Sequence, residues 1–178
     1  MSPSTRFRDA PVIATARLTL RGHRPEDFDA CTALWADPGV VRHIGGRPFS
    51  AEETWTKLLR YAGLWPLLGF GYWAVEEKAT GAFVGELGFA DFKRAIEPPL
   101  GDRPELGWAL ASRVHGRGYA TEAVRAVLAW GDAELGRRQT VCLINPDNLP
   151  SLRVAARAGY RELQRTTYKG QPTVVFAR

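Results

Sequence analysis

Little in this chain could staple it or anchor it. Its 178 residues include two cysteines, Cys31 and Cys142, far apart and outside any metal-ligand spacing. That excludes a disulfide framework and argues against a structural zinc site. No apolar run approaches the roughly 20 residues needed to span a bilayer. The N-terminal stretch holds Arg6 and Arg8 but no apolar core of the kind a secretory signal needs. A cytoplasmic protein with no membrane role is the expectation. Repeats, linkers and low-complexity tracts are missing too, so a single domain over residues 1–178 is expected. Lysine is scarce, with four against twenty arginines. The net charge of +5 favours anionic partners. Yet the arginines are scattered, and no basic stripe interleaves with aromatics, which argues against nucleic acid.

What is present suits a globular domain: 45% of residues are hydrophobic and 24% charged, and the chain is long enough to bury a core. Ala16 to Arg21 alternates apolar and polar and reads as a strand. Pro25-Glu26-Asp27 opens a helix that carries Phe28, Leu34 and Trp35 and stops at Asp37-Pro38-Gly39. Ser50-Ala51-Glu52-Glu53 is a capping box for a second helix with Trp55, Leu58, Leu59 and Tyr61. Strand patterns follow at Gly71 to Glu76, Ala82 to Phe89 and Glu105 to Leu110, the first two joined by a hairpin turn at Lys78 to Gly81. Lys93 to Arg103, with Pro98, Pro99 and Gly101, reads as a loop. After Gly118 the period turns helical, through Ala123, Val124, Val127 and Leu128 to Gly136. Thr140 to Ile144 is a short strand, Pro150 to Ala158 a short helix, and Thr173 to Phe176 a last strand. This order describes one mixed α/β domain.

The chemistry concentrates where the strand ending at Leu110 runs into Arg113-Val114-His115-Gly116-Arg117-Gly118 and a helix begins at once. The first turn of a helix offers free N–H groups and partial positive charge. Glycines let an anion approach the backbone. Together they form a site for phosphate, to which Arg113, His115, Arg117 and the Thr121 hydroxyl contribute. No Gly-Lys-Ser/Thr follows, so this is no P-loop, and Gly116-x-Gly118-x-x-Thr121 lacks the third glycine of a dinucleotide fingerprint. Taken alone, the turn is equally compatible with a plain strand-to-helix connection.

Arg113-x-x-Gly116-x-Gly118-Tyr119-Ala120-Thr121-Glu122-Ala123 resembles motif A of the GNAT (Gcn5-related N-acetyltransferase) superfamily, whose pattern is Gln/Arg-x-x-Gly-x-Gly/Ala. Asn145-Pro146-Asp147-Asn148-x-x-Ser151, followed by Arg157-Ala158-Gly159-Tyr160, resembles motif B. Arg17-Leu18-x-Leu20-Arg21 with Pro25-Glu26-Asp27 is similar to the branch that acetylates ribosomal-protein N-termini, the RimJ/RimL type. The likeness covers about Ala14 to Phe176. It implies an α/β (α+β) fold with flanking helices. Its central, mostly antiparallel mixed sheet has about six to seven strands, with a splay between the fourth and fifth. It also implies acetyl-CoA (coenzyme A) as co-substrate and no metal. The pantetheine would meet backbone at Leu110, Ala111 and Ser112. The pyrophosphate would meet the amides of Val114, His115, Gly116, Arg117, Gly118 and Tyr119, with Arg113 adding charge and Ala120 and Thr121 behind them. Asn148 and Ser151 would border the cofactor. The tyrosine that many members place in motif B is replaced by Ala155, the usual lysine by Arg157 and the usual phenylalanine by Tyr160. Ser151 is then the candidate to protonate the leaving thiolate.

An amine attacking a thioester must lose a proton, and the oxyanion needs a donor. Glu105 resembles in position the glutamate some members use as base; it could equally be a strand-end residue paired with Arg103. Glu86, in Gly85-Glu86-Leu87-Gly88, is the rival. Ser151 could serve only as a helix-capping hydroxyl. Cys142 reads as a buried structural residue and His115 as a phosphate-side or surface group. The aromatics from Trp55 to Trp73 wall the acceptor groove if the resemblance holds. The function expected is acetyl transfer from acetyl-CoA to a primary amine in a ternary complex. The acceptor is either a protein N-terminus or a small molecule such as a polyamine or drug, and a homodimer stays open. A non-catalytic acyl-CoA-binding module and an RNA- or ribosome-binding protein are the competing classes.

Overall fold

A computed structural model describes residues 7–136 and 138–178. Arg6 of the N-terminal stretch lies outside the described residues. Two short strands come first, β1 (Ile13–Ala14) and β2 (Leu18–Arg21). A single 3-10 turn over Pro25–Asp27 leads into α1 (Phe28–Ala36), and α2 (Pro38–Val41) follows. The Asp37 carboxylate accepts from the Gly39 amide at 2.7 Å, so Asp37-Pro38-Gly39 both ends one helix and starts the next. The capping box forms as expected at the start of α3 (Ala51–Leu68). Ser50 Oγ accepts from the Glu53 amide at 3.1 Å, and Glu53 accepts from the Ser50 amide at 2.8 Å.

Then come β3 (Tyr72–Glu77), β4 (Phe83–Ala90) and β5 (Glu105–Leu110), a 3-10 turn over Ser112–Val114, and α4 (Tyr119–Glu134). The chain closes with β6 (Val141–Ile144), α5 (Leu149–Arg157), β7 (Arg161–Tyr168) and β8 (Gln171–Ala177). All eight strands form one sheet in the order β1-β2-β3-β4-β5-β6-β8-β7. Every pair is antiparallel except β5 with β6. The architecture is the expected one, but the sheet is larger. β7 escaped the sequence pattern because Arg-Glu-Leu-Gln-Arg-Thr-Thr-Tyr has no apolar face: it stands at the sheet edge with most of its residues exposed. The two-residue β1 and four-residue α2 are too short to show a period.

Each sheet face has its own cover. α4 lays Ala123, Val124, Val127 and Leu128 against Leu87, Phe89 and Leu106 on one face. α1 and α3 lay Trp35, Tyr61 and Leu64 on the other, over Tyr72, Ala90 and Ala109. Among the described residues no helix is long and apolar enough to cross a membrane.

Candidate functional site

β5 and β6 are paired at Glu105 and Val141 and diverge beyond that pair. A V-shaped gap therefore opens toward Leu110 and Ile144, the splay the sequence implied. On its other side β5 is bonded to β4 along its whole length. The Ala111 amide continues that ladder, donating to the Val84 carbonyl at 2.9 Å. Strand alternation then turns the amides of Ala109 and Gly107 toward β4, and those of Leu110 and Trp108 into the gap. The Leu110 carbonyl faces the same way and meets the His115 Nε2 at 2.8 Å.

The wide end of the gap is closed by the turn into α4. The amides of Val114 and His115 donate to Ala111 and Ser112 at 3.0 Å, closing the 3-10 turn, and Arg117 reaches Val114 at 3.4 Å. Those of Gly116, Gly118, Tyr119, Ala120 and Thr121 have no acceptor among the described residues. The first bond of α4 runs from Glu122 to Gly118. Gly116 and Gly118 have φ of 77° and 80°, the left-handed region that glycine enters without a Cβ penalty. Of the nine residues expected to serve the pyrophosphate, Arg113 and His115 turn their side chains away. Arg113 donates to the Phe83 carbonyl, and His115 points back to Leu110.

Other arginines supply the charge. A cavity of about 580 Å³ beside the start of α4 is lined by Thr15, Arg17, Gly118, Thr121, Glu122, Arg125 and Arg157. Arg17 Nη1 donates to the Arg117 carbonyl at 2.8 Å, its Nε to Glu122 at 2.7 Å, and its guanidinium covers the Tyr119 ring at 4.6 Å. Arg125 and Arg157 make no ion pair among the described residues. Helical spacing could have revealed Arg125, since it stands four residues after Thr121 on one face. Arg17 comes from the bend before β2, a hundred residues away in sequence, and no local pattern ties it to this turn.

On the loop after β6, Asn148 Oδ1 accepts from the Ser151 amide at 3.2 Å and caps α5. The capping role thus falls to Asn148, while Ser151 sits in the first turn. Ala155 is fully buried, so that position offers no hydroxyl. Cys142 is buried, and burial pushes its thiol well above the usual range.

The two carboxylates lie on the α1/α3 face, in different surroundings. Glu105 is opposite Ala90, at the narrow end of the gap. Its carboxylate accepts from Arg94 Nε and Nη2, both at 2.6 Å; Arg94 rather than Arg103 is its partner. Glu86 stands between Ala74 and Ala109, beside the wide end. It is 1% exposed and accepts from Trp35 Nε1 at 2.9 Å. His23 Nε2 lies 3.2 Å and Cys31 Sγ 3.8 Å from it. The other imidazole nitrogen of His23 is buried without a hydrogen-bond partner among the described residues. Above this cluster the Lys57 ammonium faces the rings of Trp35, Tyr61 and Phe49 at 4.0, 4.9 and 5.6 Å. Burial holds its pKa down at about 8, with Arg60 and Arg94 adding to the effect and Glu86 opposing it. Tyr61 stacks on Tyr72 at 3.9 Å, and the Tyr72 hydroxyl occupies the space a Cβ on Gly107 would need, 2.2 Å away.

Residues 17–161 match the family model described as an acetyltransferase (GNAT) domain. The protein YkkB of Bacillus subtilis (strain 168) is 33% identical over 173 residues, covering 93% of this chain and 94% of that protein. An acetyltransferase from Agrobacterium tumefaciens str. C58 superposes with a TM-score of 0.81 at 30% identity, over 95% of this chain and 94% of its own. An acetyltransferase from Salmonella typhimurium that modifies the N-terminal serine of ribosomal protein L7/L12 shares the fold, with a TM-score of 0.76. It is 19% identical, over 94% and 98% of the two chains.

Proposed function

Because the chain belongs to the GNAT acetyltransferase family, an acyl-CoA-dependent group of N-acetyltransferases, we propose that it moves acetyl from acetyl-CoA directly to a primary amine, with Glu86 as the proton acceptor. The observation that carries this reading is continuity. An unpaired strand edge, with the Leu110 and Trp108 amides turned into a gap, leads to free amides at Gly116, Gly118 and Tyr119. Arg125 and Arg157, without an ion pair among the described residues, and Arg17, held by Glu122, then line the next 580 Å³. A thioester, its pantetheine arm and its phosphates need those features in that order.

The acceptor amine enters over the α1/α3 face and attacks the thioester carbonyl. The Leu110 amide donates to the oxyanion. As nitrogen bonds to carbon, the C–S bond breaks and the amine's proton passes to Glu86. Ser151 donates to the departing thiolate. Glu86 is preferred to Glu105 because it stands directly across from Ala109. Both oxygens of Glu105 already accept from the Arg94 guanidinium, which stands between that carboxylate and an incoming amine. The Trp35 indole and the His23 imidazole hold Glu86 in place. Among amines, a protein N-terminus is the acceptor favoured below; small amines are the alternative.

Two measurements test this. Coenzyme A at about 100 times its dissociation constant should stabilise the fold by roughly 2.7 kcal/mol, where NAD does not. A panel of amines and peptides, read by released thiol, should contain at least one acceptor. Absence of any thermal shift with coenzyme A or acetyl-CoA would sink the proposal.

A further inference from the structure

On the acceptor face a second cavity, of about 300 Å³, opens between the end of β4, the loop after it and the start of β5. Its walls carry Asp91, Lys93, Arg94, Arg103 and Glu105 around the ring of Phe92. The acids are already matched. Lys93 meets Asp91 at 2.5 Å, and Arg94 meets Glu105 at 2.6 Å. Arg103 is half-buried and has no carboxylate among the described residues. Beside it, the guanidinium of Arg94 lies 4.8 Å from the Phe92 ring and that of Arg60 lies 5.0 Å from the same ring. Arg60 has no carboxylate either. Lys57 and Arg60 both face the Tyr61 ring, at 4.9 and 5.7 Å, which places a further cation nearby. Such a concentration of positive charge around an aromatic wall is complementary to an anion.

The register fixes how far this cavity is from the chemistry. Glu105 lines it, whereas the proposed reaction centre lies opposite Glu86 at Ala109, four residues along β5. At about 3.3 Å per residue that is about 13 Å. One amino acid spans only about 3.5 Å, so an amine at Glu86 and an anion at Arg103 require about four residues of extended chain between them.

We propose that this cavity is a carboxylate subsite of the acceptor, and that the acceptor is a peptide amine with an acidic side chain about four residues from its N-terminus. The inference rests on the acetyltransferase reading and on the placement of the thioester at Leu110. A free acidic amino acid is too short to use both points.

The test compares hexapeptides Ser-Ala-Gly-Glu-Glu-Tyr, Ser-Ala-Gly-Gln-Gln-Tyr and Ser-Ala-Gly-Lys-Lys-Tyr, with free glutamate as a fourth acceptor. Acetylation is followed by thiol release, and binding to the CoA-loaded protein by calorimetry. The Glu peptide should exceed the Gln peptide in kcat/KM by about tenfold, mostly through KM, with the gap narrowing at high salt. Arg103→Ala should bring that ratio toward one, and Arg103→Glu should transfer the preference to the Lys peptide. Equal use of the Glu and Gln peptides, a wild-type preference for the Lys peptide or free glutamate, or a ratio untouched by both variants overturns the proposal. So does a protein that binds acetyl-CoA but neither binds nor acetylates any of the peptides, although the family reading then stands. If acetyl-CoA itself fails to bind, the acetyltransferase reading falls first.

Discussion

The two ends of the β5 gap are built on different plans. At the proposed phosphate end the groups on offer are mostly backbone amides from one continuous turn, Gly116 to Thr121, with arginines beside them. On the acceptor face they are side chains drawn from distant elements: His23 before α1, Trp35 on α1, Lys57 on α3, Glu86 on β4. On the proposed reading the first plan tolerates replacement of any one side chain, because the helix end and the glycine conformations would carry the anion. The second depends on each member, because a buried carboxylate is positioned by its few partners.

The largest contrast should come from the acceptor face. Glu86→Gln keeps shape and can still accept from Trp35, but it removes the proton acceptor. Turnover near neutral pH should fall about 10²–10⁴-fold, with acetyl-CoA affinity close to wild type. The defect should shrink as pH approaches the amine's own pKa, where the amine is neutral without help. Wild-type turnover at neutral pH removes Glu86 from the mechanism.

At the phosphate end Gly118→Val tests the backbone. The left-handed φ of 80° is strained for a branched residue, and an added Cβ would lie 3.5 Å from Arg17. Coenzyme A binding by calorimetry should weaken about 10–100-fold, beyond a folding cost of roughly 1–2 kcal/mol. Arg125→Ala should cost about threefold, because a single exposed charge contributes little. Similar losses from both variants would mean the arginines, not the amides, hold the anion.

Lys57 gives a stability signature on the acceptor face. Its folded pKa of about 8 lies below the ordinary lysine value of 10.5, so the unfolded chain binds more protons between these values. Stability should therefore rise with pH from about 8 to 10.5 and level off above. Lys57→Met removes an ammonium that is costly to bury, flattens that slope and raises stability at pH 7 by up to about 2 kcal/mol. Denaturant unfolding at several pH values measures it; an unchanged slope in the variant shows that Lys57 is fully hydrated.

These plans also explain what the sequence disclosed. The strand from Glu105 to Leu110, the turn and α4 were legible because their signals are local: alternation, then glycines, then helical period. The capping box at Ser50 and the splay after β5 were legible for the same reason or through the family motifs. Glu86 was visible as a candidate, but nothing within Gly-Glu-Leu-Gly could show that Trp35 and His23 would surround it. Nor could Glu105 announce Arg94, which reaches it from an irregular loop. Strand β7 stayed hidden because an exposed edge strand needs no apolar face, and its backbone bonds to β8 leave no mark on side-chain pattern.

The smallest expected effect, Glu105→Gln, decides between the two carboxylates. Glutamine can still accept one bond from Arg94, so the fold should lose about 1–2 kcal/mol from one missing charge-assisted contact. Turnover should stay within about threefold of wild type at every pH, because no proton passes to a carboxylate already held by a guanidinium. Freed of its counter-charge, Arg94 should bind an acidic acceptor more tightly, so KM for the Glu-containing peptide should fall rather than rise. A catalytic base behaves differently: its loss appears in kcat, grows toward low pH and leaves acceptor affinity alone. Turnover against pH for Glu105→Gln, beside Glu86→Gln, separates the cases. A pH-dependent loss of about a hundredfold in the former and none in the latter moves the base to the narrow end of the gap. The thioester would then lie deeper along β5 than Leu110, and the distance from the reaction centre to Arg103 would shrink accordingly.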